Sequence, residues 1–398
     1  MARVVPIVLG IVFTGLAVLY QIYLHPLFEV LGVFRTVQTF GLNASRCKRF
    51  PELQACEKIV LHQPSGVLYL ACSTPESRIA WTPAMGQLNP QGRSTEDYIA
   101  TFDPSTSKIT KLHLENFVSD QPISVHGMDI VPSTSLSNPN NALYVYLVNH
   151  RAPTGSNPDS DARNVGADSV IELFNTTISG DRLTHIKTFR DPVILTPNDV
   201  AGQGDGRGFF FTNDHSSKIP RARIIQNAFT ASTSVGYCHL DRGCKVAASG
   251  LHGNNGIVKA LNDTVYVASN TGGKISIFER QGDDSLLLTD VVPIGQVLDN
   301  LSLDNEGNVW AAAFPKARDI IEHLSKNPQH ISPVAAFKIS SVNVDRNESF
   351  YGEKYIVEKV FEDNGTIVSG STSIAYDSKR GLLFMHGVAA QHLVVCAL

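Results

Sequence analysis

Residues 264–278 read TVYVASNTGGKISIF, two short apolar runs on either side of a pair of glycines. Runs rich in Val, Ile, Tyr and Phe fit a pleated, half-buried surface, and Gly272-Gly273 fits the tight turn of a hairpin. Further runs of this kind recur along the chain, separated by turn residues such as Gly and Asn. They are Gly66–Cys72, Ala142–Val148, Gly208–Thr212, Val309–Ala312 and Leu382–Met385.

Many short strands without long helices between them indicate an all-β fold, namely a sandwich, a barrel or a propeller. The stretch 47–398 holds 352 residues, more than one sandwich needs, and therefore favours a propeller. Seven blades would take about 50 residues each and six about 59, against a typical blade of about 40–50 residues. This arithmetic favours seven blades and leaves six open. Ala317–Lys326 fits neither the strand nor the helix pattern well enough to be assigned.

The charge and composition of the 398 residues exclude several classes of protein. Lys and Arg number 33 and Asp and Glu 37, giving a net charge of −4. Without a basic cluster, this balance argues against a nucleic-acid-binding surface. A hydrophobic content of 43% against 18% charged residues is enough to form a core and excludes wholesale disorder. The six cysteines are too few for a small disulfide scaffold, but they allow bridges in an oxidising compartment.

An apolar segment near the N-terminus predicts a membrane anchor. Val4–Leu24 holds 21 residues without a charge, enough for a helix to cross a hydrocarbon core of about 30 Å. A cleaved signal peptide usually has an apolar stretch of only about 7–15 residues. We therefore expect residues 1–26 to form an uncleaved signal anchor, with the rest of the chain facing the secretory lumen or the outside. A cleaved signal and a secreted protein are the alternative.

The segment 27–46 is expected to link this anchor to the propeller. His25–Phe40 spaces its apolar residues almost helically, which predicts an amphipathic helix that lies on the membrane or packs on the domain. Sequons for N-glycosylation agree with a lumenal or extracellular address. They begin at Asn43, Asn175, Asn262, Asn300, Asn347 and Asn364.

Polar pairs occur at four places, and each is expected to form a loop just before a strand. The pairs are His126-Gly127, Asn198-Asp199, Asn255-Gly256 and Asp299-Asn300. In a propeller such loops converge on the central channel. Together with Glu57, the Asn and Asp side chains would offer oxygens to a hard cation such as Ca²⁺, which takes about 6–8 of them. The alternative, which the residues alone favour, is that each Asn or Asp caps a turn.

Several short phrases stand out along residues 47–398. They are Ser124–Met128, Leu147–His150, Pro197–Val200, Phe211–His215, Asn255–Ile257, Asp299–Asp304, Asn364–Thr372 and Val395–Leu398. Their order and spacing make this stretch similar to the serum paraoxonase/arylesterase family. The resemblance implies a six-bladed β-propeller with calcium in its channel, and a hydrolase that acts on lactones and aryl esters. It also implies that the N-terminal apolar segment stays uncleaved.

The resemblance further implies roles for individual residues. The ligands of the catalytic calcium would be Glu57, Asn198, Asn255, Asp299 and Asn300. That ion would stabilise the negative charge of the tetrahedral intermediate. His126 would remove a proton from the attacking water, and His150 would orient His126 or relay its proton. Asp214 or His215 would support the site.

Two positions depart from the family's pattern. The family usually has Glu-Asp where this chain has Glu57-Lys58, and that Asp helps to bind a second, structural calcium. Because an ammonium group cannot bind a cation, we expect one calcium rather than two, and a salt bridge from Lys58 to Asp199. Ala313-Phe314 stands where the family has a Cys-His phrase, which predicts a more apolar pocket wall.

The cysteines can pair in 15 ways. The resemblance implies a bridge between Cys47 and Cys396 that joins the ends of the ring. The other four allow a local pair of Cys238 with Cys244 and a pair of Cys56 with Cys72.

Two other functions stay open from the sequence. One is a catalytically silent propeller that binds a partner or an apolar ligand, which Lys58 and Phe314 would allow. The other is a propeller hydrolase of the gluconolactonase or strictosidine-synthase-like type, with the same fold and different ligands.

Gly202–Gly208 resembles a phosphate loop but runs into the apolar Phe209–Phe211, so we expect a hairpin loop. The expected partners are a small lactone or ester and the membrane.

Overall fold

Short strands make up most of the chain after residue 46. A computed structural model describes residues 4–134, 141–154, 158–219, 223, 230–342 and 354–398. The strands of its first half are β1 Cys47–Phe50, β2 Cys56–His62, β3 Val67–Cys72, β4 Trp81–Thr82, β5 Gln87–Leu88, β6 Tyr98–Asp103, β7 Lys108–Lys111, β8 His113–Glu115, β9 Val125–Pro132, β10 Ala142–Arg151, β11 Asp168–Thr177, β12 Arg182–Phe189, β13 Pro197–Gly202 and β14 Gly208–Asn213. The strands of its second half are β15 Thr233–His239, β16 Gly243–Leu251, β17 Asn254–Lys259, β18 Thr264–Ser269, β19 Lys274–Arg280, β20 Leu286–Pro293, β21 Val297–Leu303, β22 Val309–Phe314, β23 Val334–Ser341, β24 Tyr355–Asp363, β25 Ser373–Asp377, β26 Leu382–His386 and β27 Leu393–Ala397.

These strands form six large sheets around a common axis. Written from the inner to the outer strand, the sheets are β2-β3-β6-β7, β9-β10-β11-β12-β8, β13-β14-β15-β16, β17-β18-β19-β20, β21-β22-β23-β24 and β25-β26-β27-β1. Each inner strand contacts the inner strands of the two neighbouring sheets, so the ring is closed. The fold is a six-bladed β-propeller, as the family resemblance implied. The count of residues per blade, which favoured seven blades, was wrong.

The N-terminal segment is a continuous helix outside the propeller. Helix α1 Val4–Leu19 passes through a π-helical turn, Tyr20–Leu24, into α2 His25–Leu31. The stretch Gly10–Leu31 is long and apolar enough to cross a membrane, and none of its most apolar part is buried against the rest of the protein. These features fit the predicted signal anchor.

Helix α2 ends at Leu31, so the predicted helix over His25–Phe40 was wrong beyond that residue. Gly32 follows with φ of +66°, a left-handed conformation that ends a helix at low cost because glycine has no Cβ. The Arg35 guanidinium then donates hydrogen bonds to the carbonyl oxygens of Pro315 at 2.9 Å and Gly295 at 2.8 Å. The chain leaves the helix because it docks on the propeller here.

Insertions between strands explain why the blades are longer than the typical repeat. Helix α3 Pro75–Ala80 and the small sheet β4-β5 lie between β3 and β6, and α4 Pro158–Val165 lies between β10 and β11. Helix α5 Ala317–Ser325 occupies the segment that the sequence left unassigned. One of its faces buries Ile320 and Leu324 against the propeller.

The middle strands of the blades are buried on both faces. Every residue of β3, β14 and β22 is buried, because each blade packs between two others. Outer strands such as β16 and β24 are partly exposed and correspondingly mixed in composition. All the apolar runs singled out in the sequence are strands, and the Gly-rich segment from Gly202 to Gly208 is the predicted hairpin connection.

The two ends of the propeller meet in the sixth blade. Strand β1 pairs antiparallel with β27, and Cys47 lies opposite Cys396. These two cysteines form a disulfide across a sequence separation of 349 residues. The other bridges are Cys56–Cys72 and Cys238–Cys244. The disulfide pairs drawn from the sequence are thus confirmed.

Loss of the closing disulfide is expected to destabilise the propeller strongly. The double replacement Cys47→Ser with Cys396→Ser should lower the free energy of unfolding by about 4–5 kcal/mol, because the bridge closes a very long loop. The matched control, Cys238→Ser with Cys244→Ser, opens a loop of sequence separation 6 and should cost only about 2 kcal/mol. Denaturant unfolding measures both, and equal losses would contradict the role of Cys47 and Cys396 in ring closure.

Candidate active site

Most of the predicted site residues lie on five of the inner strands, each of which has one residue more at this point than the strand beside it. His150 lies instead on β10, and Asp214 and His215 follow β14. The extra residues fall at Glu57 on β2, His126-Gly127 on β9, Asn198-Asp199 on β13, Asn255-Gly256 on β17 and Asp299-Asn300 on β21. Such a bulge breaks the regular alternation and re-aims a side chain. The polar pairs were predicted to be loops before the strands. That prediction was wrong, because they are bulges within the strands.

Glycines at two of these bulges allow neighbouring inner strands to approach closely. A Cβ on Gly127 would lie 2.2 Å from the backbone oxygen of Asn198, and a Cβ on Gly256 would lie 2.6 Å from the Cα of Asn300. Strand β9 therefore lies against β13, and β17 against β21, at the level of the site. The fold brings the predicted residues to one level of the channel.

Three of the predicted calcium ligands have a buried side-chain oxygen without a hydrogen-bond partner. These oxygens are Glu57 Oε2, Asn198 Oδ1 and Asn255 Oδ1, and Oδ1 of the neighbouring Asp199 is likewise unpartnered. The other carboxylate oxygen of Glu57 accepts a hydrogen bond of 2.6 Å from Asn300 Nδ2, which fixes the orientation of the group. Buried polar atoms are normally paired, so unpartnered oxygens on three strands fit a hard cation as their common partner.

The charges at this level also fit a cation. Burial raises the pKa of Glu57, although the hydrogen bond from Asn300 and the charges of Lys58 and Arg78 oppose the shift. Burial, together with the charge of Glu57, raises the pKa of Asp299 well above its usual range. Two buried carboxylates repel each other when both are ionised, and a divalent cation between them relieves the repulsion.

The types of ligand narrow the choice of metal. Within the described ranges, no group of three or more His, Cys, Asp or Glu side chains is arranged to hold an ion. The candidate set instead combines two carboxylates with three amide oxygens. Such hard oxygen ligands suit Ca²⁺ rather than Zn²⁺, which prefers nitrogen and sulfur.

Lys58 lies beside this set and joins three blades. Its Nζ is 2.6 Å from Oδ2 of Asp199, and the two side chains are only 3% and 0% exposed. The same ammonium donates to the carbonyl oxygen of Leu301 at 3.1 Å. Asp199 Oδ2 also accepts a hydrogen bond of 3.0 Å from the backbone N–H of Ile257. The predicted salt bridge between Lys58 and Asp199 is confirmed.

Removal of the Lys58 charge should destabilise the protein. The variant Lys58→Met should lose about 3–5 kcal/mol of unfolding free energy, because Asp199 is left as a buried carboxylate without its cation. In the control Lys338→Met, which breaks a partly exposed pair with Glu358, the loss should stay below about 1 kcal/mol. Chemical denaturation compares the two, and a Lys58→Met protein as stable as the control would refute the argument.

The variant Lys58→Asp tests the number of metal ions in the channel. It replaces the ammonium with a carboxylate opposite Asp199, and so restores the acidic pair of the family's pattern. Metal titration is expected to count one more calcium ion in Lys58→Asp than in the unaltered protein. Two ions already bound in the channel of the unaltered protein would contradict the expectation of a single calcium.

The two predicted catalytic histidines lie side by side. The ring centroids of His126 and His150 are 4.9 Å apart, with 54° between the ring planes. Burial, together with the charge of Arg78, lowers the pKa of His126 to about 3. Burial likewise lowers the pKa of His150 well below its usual value. Both rings are therefore neutral near pH 7 and keep a lone pair that can accept a proton, although the lowered pKa makes each a weaker base than an ordinary histidine.

Hydrogen bonds fix one of these rings and leave nitrogens on both unpartnered. His150 Nδ1 lies 2.8 Å from Ser169 Oγ, which holds the ring in place. His126 Nδ1 and His150 Nε2 are buried and have no partner in the described structure.

Asp214 and Arg223 line a cavity of about 10 Å³ beside His150, close to the room for one water molecule. Asp214 Oδ1 lies 2.7 Å from His215 Nδ1, so the Asp214 side chain that lines this cavity is paired with His215.

Sequence reasoning missed two residues that support the site. Arg78 is fully buried, and its charge acts on Glu57 and on both histidines. Thr372 Oγ1 donates a hydrogen bond of 3.0 Å to the backbone oxygen of Glu57. Thr372 belongs to one of the short phrases that resemble the family, so the sequence could have identified it as a site residue. No motif surrounds Arg78.

Ala313 and Phe314 end β22 and are buried. Phe314 packs in an apolar cluster with Val297, Ile320 and Val388, and Leu31 of α2 packs against this cluster. The position at which the family carries a polar side chain is thus filled by an aromatic ring. Phe314 is buried in this apolar cluster, and the apolar pocket wall stays a prediction.

Most of the sequons lie where an oligosaccharide can be attached. The exposed ones begin at Asn43, Asn175, Asn262 and Asn364. Asn347 lies outside the described residues. Asn300, by contrast, is 1% exposed, so its sequon should stay unmodified. Peptide mass spectrometry checks this, and an oligosaccharide on Asn300 would contradict its place in the channel.

Comparisons with known proteins show which proteins this chain resembles. The family model described as Arylesterase matches residues 82–398. Serum paraoxonase/arylesterase 2 of Homo sapiens is 25% identical over 250 residues, which cover 62% of this chain and 63% of that protein. Serum paraoxonase/arylesterase 1 of Rattus norvegicus is 28% identical over 289 residues, which cover 70% of this chain and 74% of that protein.

A solved structure with a similar fold is the periplasmic gluconolactonase of Pseudomonas aeruginosa. Its TM-score is 0.44 at 10% identity, and the match covers 86% of this chain and 80% of that one. The first of the paraoxonase relatives is matched over less than two thirds of its own length. Cys47, Glu57 and Lys58 precede the range of the family match.

Proposed function

The chain belongs to the arylesterase family, and from this premise we propose that it hydrolyses lactones and aryl esters with one bound calcium ion. The observation that carries the proposal is the set of buried, unpartnered oxygens on Glu57, Asn198 and Asn255. They lie at the same level of the channel as the bulge of His126. An oxygen-rich cation site beside a neutral base is the combination that ester hydrolysis needs.

The ion would be held by side chains from four inner strands. Its ligands would be Glu57, Asn198, Asn255, Asp299 and Asn300. When bound, calcium supplies the positive charge that stabilises the oxyanion formed when water attacks the carbonyl group. The protein orients the ligands beforehand: Asn300 donates to the carboxylate of Glu57, and Thr372 donates to the backbone oxygen of Glu57.

The histidine pair would handle the proton of the attacking water. His126 is the general base, because it is neutral and lies on the strand next to Asn198. Its Nδ1 and the Nε2 of His150 are both buried and unpartnered on adjacent rings, so we assign them to proton exchange within the pair through a bridging water molecule rather than a direct hydrogen bond. His126 Nε2 is then left to receive the proton from water. Ser169 keeps the ring of His150 in place.

We propose that the protein is anchored in a membrane by its N-terminal helix, with the propeller on the lumenal or extracellular side. Support comes from the apolar helix Gly10–Leu31 and from three disulfides, which persist in oxidising compartments. The substrate class we propose is a small lactone or ester. The membrane is reached through the N-terminal helix.

Hydrolysis of phenyl acetate and of a panel of lactones tests the proposed function. The purified protein is assayed as prepared, after dialysis against a strong chelator, and after calcium is added back. We expect loss of hydrolysis on chelation and recovery with calcium. Full activity in the chelator would overturn the calcium mechanism. If calcium-loaded protein hydrolyses none of these esters, the chain is a binding propeller, the alternative that Lys58 and Phe314 left open in the sequence.

A further inference from the structure

Arg78, on the short helix α3, is a buried cation for which the mechanism above has no role. Its side chain is 2% exposed. Nη1 donates a hydrogen bond of 2.6 Å to the carbonyl oxygen of Val125, and Nη2 donates one of 3.3 Å to that of Ala55. Val125 directly precedes His126, and Ala55 lies two residues before Glu57. One guanidinium group therefore joins strand β9 to the start of strand β2.

Asp97 and Ser73 complete the network around these two backbone segments. Asp97 Oδ2 accepts a hydrogen bond of 3.1 Å from the N–H of Val125. The backbone N–H and C=O of Val125 are therefore both bound by charged side chains, those of Asp97 and Arg78. Asp97 Oδ1 accepts one of 2.5 Å from Ser73 Oγ. The N–H of Ser73 in turn donates to the carbonyl oxygen of Ala55 at 3.2 Å. The hydrogen bonds thus form a closed circuit between β2 and β9.

A buried cation at this place is energetically expensive, so its geometry needs an explanation. Nε of Arg78 has no partner, and the side chain gives up most of its hydration. An apolar residue would fill the space without that loss. Only the planar fork of arginine carries two separate N–H groups in a rigid frame, which here reach carbonyl oxygens on two different blades.

We propose that Arg78 is a positioning residue that fixes His126 relative to Glu57. Through Val125 and Ala55 it holds the base and the calcium-binding carboxylate at their working separation. The role rests on the proposed function. A displacement of a catalytic group by about 1 Å costs about 10²-fold in rate. The loss of Arg78 should therefore lower kcat and leave KM nearly unchanged.

Two substitutions and one matched control test this role. Arg78→Met removes both hydrogen bonds to the carbonyl oxygens and should lower kcat for phenyl acetate by about 10²-fold. Arg78→Lys keeps the charge, but it reaches one carbonyl oxygen at a time and should give an intermediate loss. The control is Arg93→Met in the same connection, whose guanidinium donates its hydrogen bond to Gln121 and acts on Asp97 only through its charge. This control should keep the kcat of the unaltered protein.

A second measurement tests the role independently of catalysis. Hydrogen exchange at the amide of Val125 should become faster in Arg78→Met and should not change in Arg93→Met. If the unaltered protein hydrolyses no ester, the proposed function fails, while the exchange experiment still tests Arg78. Unchanged exchange at Val125, or an unchanged kcat in folded Arg78→Met, would overturn the proposal. If Arg78→Met does not fold, a kcat of Arg78→Lys equal to that of the unaltered protein overturns it.

Discussion

Replacing Asp299 with alanine should abolish calcium retention and lower ester hydrolysis by about 10³-fold. Asp299 is one of two carboxylates in the candidate calcium site, and burial with the charge of Glu57 raises its pKa well above the usual range. Its removal takes away half of the negative charge that balances the ion. The metal content of the purified variant and its rate with phenyl acetate measure the two effects.

The control for this experiment is Asp283→Ala, on the exposed turn between two strands of the fourth blade. Its carboxylate pairs with Lys245 at the surface, and its side chain is 70% exposed. This variant should keep both its calcium and its rate. An Asp299→Ala protein that binds calcium as tightly as the control would remove Asp299 from the ligand set.

Replacing His126 with glutamine should lower kcat by about 10²–10⁴-fold, the usual share of general base catalysis, while calcium is retained. Glutamine has a similar size and remains polar, but it cannot accept a proton at neutral pH. Retained calcium separates the loss of a base from a collapse of the site. The control His113→Gln changes an exposed histidine on β8 and should have the unaltered rate. An unchanged rate for His126→Gln would transfer the role to His150.

The pH profile gives a further readout of the same residue. Because burial and the charge of Arg78 lower the pKa of His126 to about 3, the neutral form persists when the pH falls from 7 to 5. At saturating calcium, which keeps Glu57 and Asp299 ionised despite their raised pKa values, kcat/KM should therefore change by less than about twofold over this range. An acid limb centred near pH 6.5, the ordinary histidine value, would contradict the lowered pKa of His126.

The strands of the blades could be predicted from the sequence, because the pattern that identifies a strand is local. A run such as Thr264–Ala268 has the composition of a buried strand, and Gly272-Gly273 has the composition of a turn. The salt bridge of Lys58 with Asp199 could also be predicted, because a cation at an acidic position needs an anionic partner. These inferences need only the residue types and, for Lys58, the resemblance to the family.

Other features depend on contacts between residues that are distant in the sequence. The bulges at Asn198-Asp199 and Asp299-Asn300 look like turns, because only the register with the second strand reveals the extra residue. The end of α2 at Leu31 has a local signal in Gly32, but the docking of Arg35 on the propeller is visible only in the structure. Arg78 has no surrounding motif, and its role appears only when Val125 and Ala55 lie side by side. Such features follow from packing, which a local pattern does not encode.

The pairing of β1 with β27 has a consequence for the order of events during synthesis. The first strand of the domain cannot complete its blade until the last one has left the ribosome, because 349 residues separate Cys47 from Cys396. Five blades can assemble progressively, but the sixth joins both ends and can form only once β27 has been synthesised. Contacts of such high sequence separation are slow to form. Until then the nascent chain exposes open strand edges, the kind of surface that makes a folding intermediate prone to aggregate.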